Sequence, residues 1–319
     1  MINAIPSSST MSKDFLSILD LEPRDLERLL ALAAEVKAAR PLGPNAPTWG
    51  ALRGAHVAML FEKPSLRTRS TFEIAIRELG GETLHVPAEM AEGTREPLED
   101  VARNLERWVD ALVIRTFAQE KAATIAGAAA RLHVINALTD EQHPCQALAD
   151  FLTLREHWTT LRGRTVAYVG DGNNVAASLA HAGAMLGVHV NVASPHGYEL
   201  PERVRDEAAQ VARHGAQVRC FTDPKQAVAG VDAVYTDVWT SMGQEEEALE
   251  RRVIFSEYQV NEALMAAADP RALFMHCLPA HRGEEVTAAV LESRASVVFD
   301  QAENRLHAQK ALLLLLLGS

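Results

Sequence analysis

Short apolar runs of five or six residues recur along the chain at 56–61, 82–86, 111–115 and 132–136, and longer segments with helical spacing lie between them. Unbroken runs of this length suit strands buried on both faces, and the intervening helices are long enough to cross over a parallel sheet. The segments 98–108 and 121–131 read as two such crossovers, and an amphipathic helix over 25–39 precedes the first strand. A long helix over 145–157 leads to residues 161–163, read as the link between halves, after which the alternation resumes with strands near 165–169, 188–192, 217–221, 232–236, 272–276 and 296–299. The last segment, 301–317, is helical in pattern and suited to packing back across both halves. The pattern predicts an α/β protein of two domains, each a mainly parallel sheet flanked by helices, joined by interdomain helices. Residues 1–152 form the first domain, completed by the C-terminal helix 301–319, and 153–300 form the second.

A chain of 319 residues gives each domain enough length to bury its own core. The net charge of −11 argues against a nucleic-acid partner, which needs a broad basic face. It leaves room for a phosphorylated small molecule, and makes a local basic cluster more telling. The opening MINAIPSSST has no apolar run and reads as neither signal peptide nor anchor, with Met11 an alternative start. The leucine run 312–317 is far shorter than the roughly 20 residues of a membrane span, and reads as a buried helix end. Three scattered cysteines, Cys145, Cys220 and Cys277, make no disulfide framework and point to a reducing, cytoplasmic setting. The acidic triplet 245–247 reads as a solvated helix start.

The basic cluster is FEKPSLRTR at 61–69, where an apolar strand stops at Pro64 and a helix begins. First-turn amides lack partners inside a helix and carry partial positive charge, so an anion is favoured there. Ser65 stands at the N-cap position, Thr68 adds a hydroxyl, and Arg67 and Arg69 offer planar forks to phosphoryl oxygens. An ordinary capped helix with solvated arginines has the same sequence.

Other strand ends carry further candidates. VAYVGDGNNV at 166–175 resembles a dinucleotide turn, but Val175 takes the place of its third glycine and no acidic residue closes the next strand. What remains is a turn presenting Asn173 and Asn174, suited to holding a carboxylate or to capping a helix. Arg115 ends its strand, and HPCQALAD places His143 and Gln146 one helical turn apart, able to face one ligand. A neutral histidine there can donate to a carbonyl oxygen that gains charge, or simply pack. Asp237 ends another strand before a glycine-containing loop and can pair with an amine. FMHCLPAHRG delivers Cys277 to a strand end, open to a nucleophilic role, although no orienting partner can be picked out by spacing. Nor does any recognised zinc-ligand spacing join His143, Cys145, His276, Cys277 and His281.

FEKPSLRTR, HPCQ, GDGNN, DVWTSMG and HCLP together, in this order and spacing, resemble the carbamoyltransferases over nearly the whole chain. The DxxxSMG loop and HCLP are similar to those of the ornithine carbamoyltransferases within that superfamily. The resemblance implies transfer of a carbamoyl group from carbamoyl phosphate to the δ-amine of L-ornithine by direct attack, in arginine biosynthesis, with no metal or organic cofactor. It implies a homotrimer or a multiple of trimers, without nucleic-acid or membrane partners. By motif position, the first domain binds carbamoyl phosphate: Ser65, Leu66, Arg67 and Thr68 hold the phosphate, Arg115, His143 and Gln146 the carbamoyl group, and Arg305 reaches the donor. The second binds ornithine: Asn174 meets its carboxylate, Asp237, Ser241 and Met242 complete the α-amino-acid site, and Cys277 with the Leu278 carbonyl orients the δ-amine. Arg67, Arg115, His143 and Cys277 are then the catalytic set, and closure on the second substrate would move 239–243 most.

Two departures from the family pattern stand out. Leu66 replaces the usual threonine, so contact there falls to a backbone amide. Ala91 aligns with the residue that a neighbouring subunit contributes, which leaves Glu92, Thr94 or Arg95 to make that contact or leaves it unmade. Transfer to putrescine or an N-acylated ornithine, a binding protein without turnover, and a dehydrogenase are the competing readings. The intact donor residues oppose the second, and the broken glycine pattern opposes the third.

Overall fold

The computed structural model of the chain describes residues 12–241 and 243–318. The chain divides into two compact units, residues 1–152 with 304–319 and residues 153–303. The first division falls at 152/153, inside a helix.

In the first unit, helix α1 (Pro23–Ala39) precedes β1 (His56–Phe61), α2 (Leu66–Glu78), β2 (Glu82–Val86), α3 (Leu98–Leu105), β3 (Ala111–Arg115), α4 (Gln119–Ala128), β4 (His133–Leu138) and α5 (Pro144–His157). Its four strands are parallel, in the order β2-β1-β3-β4. The central strands are largely apolar because both faces are covered: every residue of β3 is buried, its terminal Arg115 included, whereas the edge strand β2 has no buried residue. Leu60, Leu112, Ile114, Val134 and the inner faces of α3 and α4 form one core cluster.

The second unit holds β5 (Thr165–Val169), α6 (Asn174–Leu186), β6 (His189–Ala193), α7 (Glu202–Val211), β7 (Val218–Phe221), α8 (Pro224–Val228), β8 (Ala233–Thr236), α9 (Ala248–Ile254), α10 (Glu262–Met265), β9 (Leu273–His276) and α11 (Ala288–Leu291). Its strands are also parallel, in the order β7-β6-β5-β8-β9. The last helix is α12 (Val298–Leu317), whose residues from Asn304 onward belong to the first unit. Leu312, Leu313 and Leu314 are buried and the rest of the leucine run is half-buried. Among the described residues, no helix is long and apolar enough to cross a membrane.

The expected strands form among the described residues with one exception, the run at 296–299. Phe274 donates to the Ala295 carbonyl and Val297 to the Phe274 carbonyl, which makes one bridge beside β9, and the chain then turns into α12 at Val298. Helix α4 ends at Ala128, short of 131, because Glu106 accepts the N–H groups of Ala130 and Arg131 and draws that backbone away. Helix α3 ends at Leu105, short of 108, and Trp108 is 65% exposed. The expected alternative start at Met11 lies outside the described residues.

Both sheets reverse their strand order at one place, between β1 and β3 in the first and between β5 and β8 in the second. At such a switch point the connections leave in opposite directions, and a crevice opens beyond the carboxyl ends of the two strands. Phe61 pairs with Arg115 at the end of the first crevice, and Val169 with Thr236 at the end of the second. The sequence candidates sit at these two places.

Candidate active site

In the first unit, β1 delivers the FEKPSLRTR segment and β3 delivers Arg115. The Glu62 N–H donates to the Arg115 carbonyl at 2.9 Å, while the Glu62 carboxylate accepts from Thr116 and pairs with Lys121 at 2.7 Å. Lys63 is buried, pairs with Asp140 at 2.6 Å and stands 4.1 Å over the Phe117 ring. This network fixes the loop from which α2 starts. Ser65 is the N-cap residue in extended backbone, but its hydroxyl makes no capping bond, so the first-turn amides are not turned inward onto it. Arg67 is half-buried, Arg69 lies 5.2 Å from the Phe61 ring, and the Leu66 side chain is 76% exposed.

Thr68, at 1% exposed, is where the cations meet. Arg115 donates to its hydroxyl oxygen at 3.4 Å, and Arg305 of α12 donates to the same atom. Both guanidiniums are almost wholly buried. Two desolvated cations at one hydroxyl make a strongly electropositive spot that a phosphate dianion would relieve. Their charge and burial hold the His143 imidazole well below the usual histidine range, burial contributing most. His143 is therefore neutral near pH 7, with one ring nitrogen a donor and the other an acceptor. Gln146 follows one turn later, and its Nε2 donates to Asp150 at 2.8 Å. Because a carboxylate only accepts, that bond fixes the amide orientation and leaves Oε1 as an acceptor without a hydrogen-bond partner among the described residues. Cys145 does not join this cluster: its Sγ donates to the Asn136 carbonyl, and burial pushes its thiol up to about 12, so it offers no thiolate.

In the second unit the strand ends build a different arrangement. Asp237 follows β8, and its Oδ1 accepts from Cys277 Sγ at 2.9 Å and from the Val238 N–H at 2.8 Å. Its Oδ2 accepts from Asn173 Nδ2 at 3.1 Å. Asn173 caps α6, its Oδ1 accepting from the Val175 and Ala176 amides and from the Tyr168 hydroxyl. Burial, then the nearby Asp237, raises the Tyr168 phenol well above its ordinary value. The turn therefore divides its two asparagines: Asn173 takes the capping role, and Asn174 stands at the first position of α6. Gly172 is required by packing, since a Cβ there would lie 2.3 Å from the Leu200 nitrogen.

Cys277 is buried at the end of β9. The next residue, Leu278, has φ of 59° and its N–H donates to His276 Nδ1 at 2.8 Å. That leaves His276 Nε2 to donate, and its partner is Glu285 Oε1 at 3.1 Å. Ser241 is half-buried, with its N–H donating to Gln244 Oε1 at 3.0 Å. Met242 lies outside the described residues.

The first cluster thus joins Thr68, Arg115 and Arg305 directly, with His143 close enough to feel both charges. Ser65, Leu66 and Arg67 share the same helix start. The second joins Asp237 to Cys277 and to Asn173, the asparagine beside the candidate Asn174. Sequence reasoning passed over three supporting residues. Arg251 bonds Asp171 at 2.7 Å and the Trp239 carbonyl at 3.0 Å, tying the GDGNN turn to the base of the following loop. Glu285 holds His276, and Gln301 accepts the His276 N–H at 3.0 Å. Chain distance hides the first and last, while Glu285 looks like any solvated acidic pair. A cavity of about 300 Å³ lies elsewhere, lined by Glu106, Asp110, Arg131, His133 and Leu316 near the amino ends of the first sheet, and holds none of these residues.

Comparison with known proteins adds family context. Residues 13–156 match the model described as "Aspartate/ornithine carbamoyltransferase, carbamoyl-P binding domain", and residues 162–316 match its Asp/Orn binding domain. The chain is similar to a protein of Anoxybacillus flavithermus named ornithine carbamoyltransferase, 49% identical over 99% of this chain and 100% of that one. It is 51% identical to a protein of the same name from Acidothermus cellulolyticus, over 97% and 98% of the two chains. Among solved structures, ornithine carbamoyltransferase from Pyrococcus furiosus matches with a TM-score of 0.92 at 47% identity, covering 98% of this chain and 99% of that one.

Proposed function

Because the chain belongs to the aspartate/ornithine carbamoyltransferase family, we propose that it transfers the carbamoyl group of carbamoyl phosphate to the δ-amine of L-ornithine, giving L-citrulline and phosphate. The observation that carries this reading is the convergence of buried Arg115 and Arg305 on Thr68 beside the start of α2. It supplies the charge and donors that a phosphoryl group needs at a helix start.

In this reading Ser65, Thr68 and the α2 amides hold the phosphate oxygens with Arg67, and Leu66 contributes its backbone N–H. Arg115 and neutral His143 donate to the carbonyl oxygen of the carbamoyl group, and Gln146 Oε1 accepts from its amide. Arg305 braces the donor. Asn174 meets the ornithine carboxylate, and Asp237 pairs with its α-ammonium, with Ser241 and Met242 lining the same amino acid. Cys277 and the Leu278 carbonyl orient the δ-nitrogen.

The neutral δ-amine attacks the carbonyl carbon. A C–N bond forms, the carbonyl oxygen gains charge, and Arg115 and His143 stabilise that oxygen, a term worth about 3 kcal/mol per donor. The tetrahedral intermediate collapses as the C–O bond to phosphate breaks. The electron pair leaves with the phosphate, which Arg67 and the helix amides stabilise, and an oxygen of that phosphate takes the proton that the nitrogen sheds. Cys277 acts as a thiol that orients, with no covalent intermediate.

A colorimetric citrulline assay tests the whole reading. Carbamoyl phosphate with L-ornithine should give product, with putrescine and N-acetylornithine poor substrates; absence of product with ornithine would overturn it. The reading places the enzyme in the cytoplasm, in arginine synthesis, as a homotrimer or a multiple of trimers. Ala91 is buried in the first unit's core and cannot extend to a neighbour, whereas Glu92, Thr94 and Arg95 are exposed and suited to that contact. Light scattering should give a mass of at least three times 34.8 kDa.

A further inference from the structure

The sequence set His281 among possible zinc ligands with His143, Cys145, His276 and Cys277 as its partners. The second unit gives it different ones. After β9 the chain makes a turn in which the Glu284 N–H donates to the His281 carbonyl and the Gly283 N–H to the Val286 carbonyl. Gly283 has φ of +91°, which suits glycine, and Gln259 donates to the carbonyls of Gly283 and Glu284. This anchored turn brings His281, Glu284 and Glu285 together, with one ligand atom from each lying within 4.8 Å of the others.

Glu285 gives the cluster its meaning. Its side chain is wholly buried, and Oε1 is used by the His276 ring and the His281 N–H. Its Oε2 has no hydrogen-bond partner among the described residues, and it faces His281 Nδ1 at 3.9 Å, too long for a hydrogen bond. A buried carboxylate oxygen without a partner costs free energy, and a cation is the ligand that removes the cost. Glu284, half-buried and held by Arg252 at 2.6 Å, adds a second carboxylate at the rim. His281 is half exposed, so a small ion has a path inward and the imidazole can rotate toward it.

We propose that His281, Glu284 and Glu285 bind one divalent transition-metal ion, with Zn²⁺ the natural occupant. Imidazole and carboxylate donors suit such an ion, and tetrahedral ligands about 2.1 Å from Zn²⁺ stand about 3.4 Å apart, so ligand atoms that lie within 4.8 Å of one another in the turn close in on the ion by up to about 1.4 Å. Neither Asp237 nor Cys277 is among its ligands, but it shares Glu285 with the His276 that anchors Leu278. It is a binding site added to the transferase reading and does not depend on it.

Titration of the purified full-length protein with Co²⁺ tests the assignment, because cobalt reports its ligands in its spectrum. The wild type should take up one equivalent with visible d–d absorption and no thiolate-to-cobalt charge-transfer band, and Zn²⁺ should displace it. His281→Ala, at a half-exposed position, should weaken uptake about 100-fold, and Glu284→Gln at least about tenfold, while Cys277→Ser leaves it unchanged. Lack of saturable uptake, a charge-transfer band lost in Cys277→Ser, or wild-type affinity in His281→Ala would each overturn it.

Discussion

The two strand-end clusters differ in how far they satisfy themselves. In the first unit, two buried guanidiniums meet at one hydroxyl, with a neutral imidazole near enough to feel both charges, an arrangement of donors that calls for an anion. In the second, Asp237 already accepts from Cys277, Val238 and Asn173, so the acidic centre is held in a closed network. One cluster concentrates positive charge, and the other keeps a carboxylate in a fixed place. A charged phosphoryl donor needs the former, because binding must come from electrostatics and leave charge stabilisation for the transition state. A flexible amino acid with three polar ends needs the latter, because orientation is what it lacks.

Removing one cation should break the contrast most severely. In the proposed mechanism Arg115→Ala takes away a donor to the developing oxyanion and leaves the rest of β3 packed, so kcat should fall by about 10²–10³-fold. Arg67→Ala should act mainly on donor use, raising KM for carbamoyl phosphate steeply. Steady-state kinetics with either substrate varied separates the two, and near wild-type constants for Arg115→Ala would remove it from the oxyanion role.

Acid titration should show the same imbalance as a stability effect. His143 is depressed by burial and two arginines, and His181, buried in α6, is depressed to about 4, mainly by burial. A depressed folded pKa means that the unfolded chain binds the proton first. Stability is therefore intact above the unfolded value of about 6.5 and is lost as pH falls toward the folded values, by ~1.4 kcal/mol per pH unit for each histidine. Urea midpoints should drop clearly between pH 7 and 5.5. Phosphate should relieve the part of the His143 share that the arginines cause, since an anion beside them offsets their field, and leave the His181 share unchanged. Equal relief of both would show that the effect is not local to the cationic cluster.

In the closed network, Asp237→Asn should have a smaller and more selective effect. Cys277, Val238 and Asn173 all donate to Asp237, so an amide NH₂ must face one of these donors. KM for ornithine should rise about tenfold, ~1.4 kcal/mol, with KM for carbamoyl phosphate changed less than about twofold. A matching rise in both constants would show that the two clusters are not functionally separate.

The strand ends are legible in the sequence because a buried parallel strand is an unbroken apolar run, and the residues just after such a run stand at the crevice edge. That is why Arg115, Asp237 and Cys277 can be placed without coordinates. The run at 296–299 fails by the same rule: Val297, Val298 and Phe299 look like a short strand, yet Phe299 is 67% exposed at the start of α12. Period alone does not separate a brief strand from a helix's first turn. Asn173 and Asn174 offer the same chemistry as adjacent residues in a sequence, and only the cap geometry gives them different tasks. Arg251 and Gln301 lie beyond reach because their partners are fixed by packing and not by spacing.

The mildest test concerns the one irregular member of the phosphate segment. Leu66 is the first residue of α2, so its N–H belongs to the group of amides without a helical partner, and its side chain is 76% exposed. If the phosphate contact at this position is the backbone amide, the side chain is nearly irrelevant. Leu66→Thr should then change KM for carbamoyl phosphate by no more than about threefold, less than ~0.7 kcal/mol, with kcat unaffected. A tenfold gain would mean that a hydroxyl here reaches the phosphate, so that the first cluster is one donor short of what its ligand can accept.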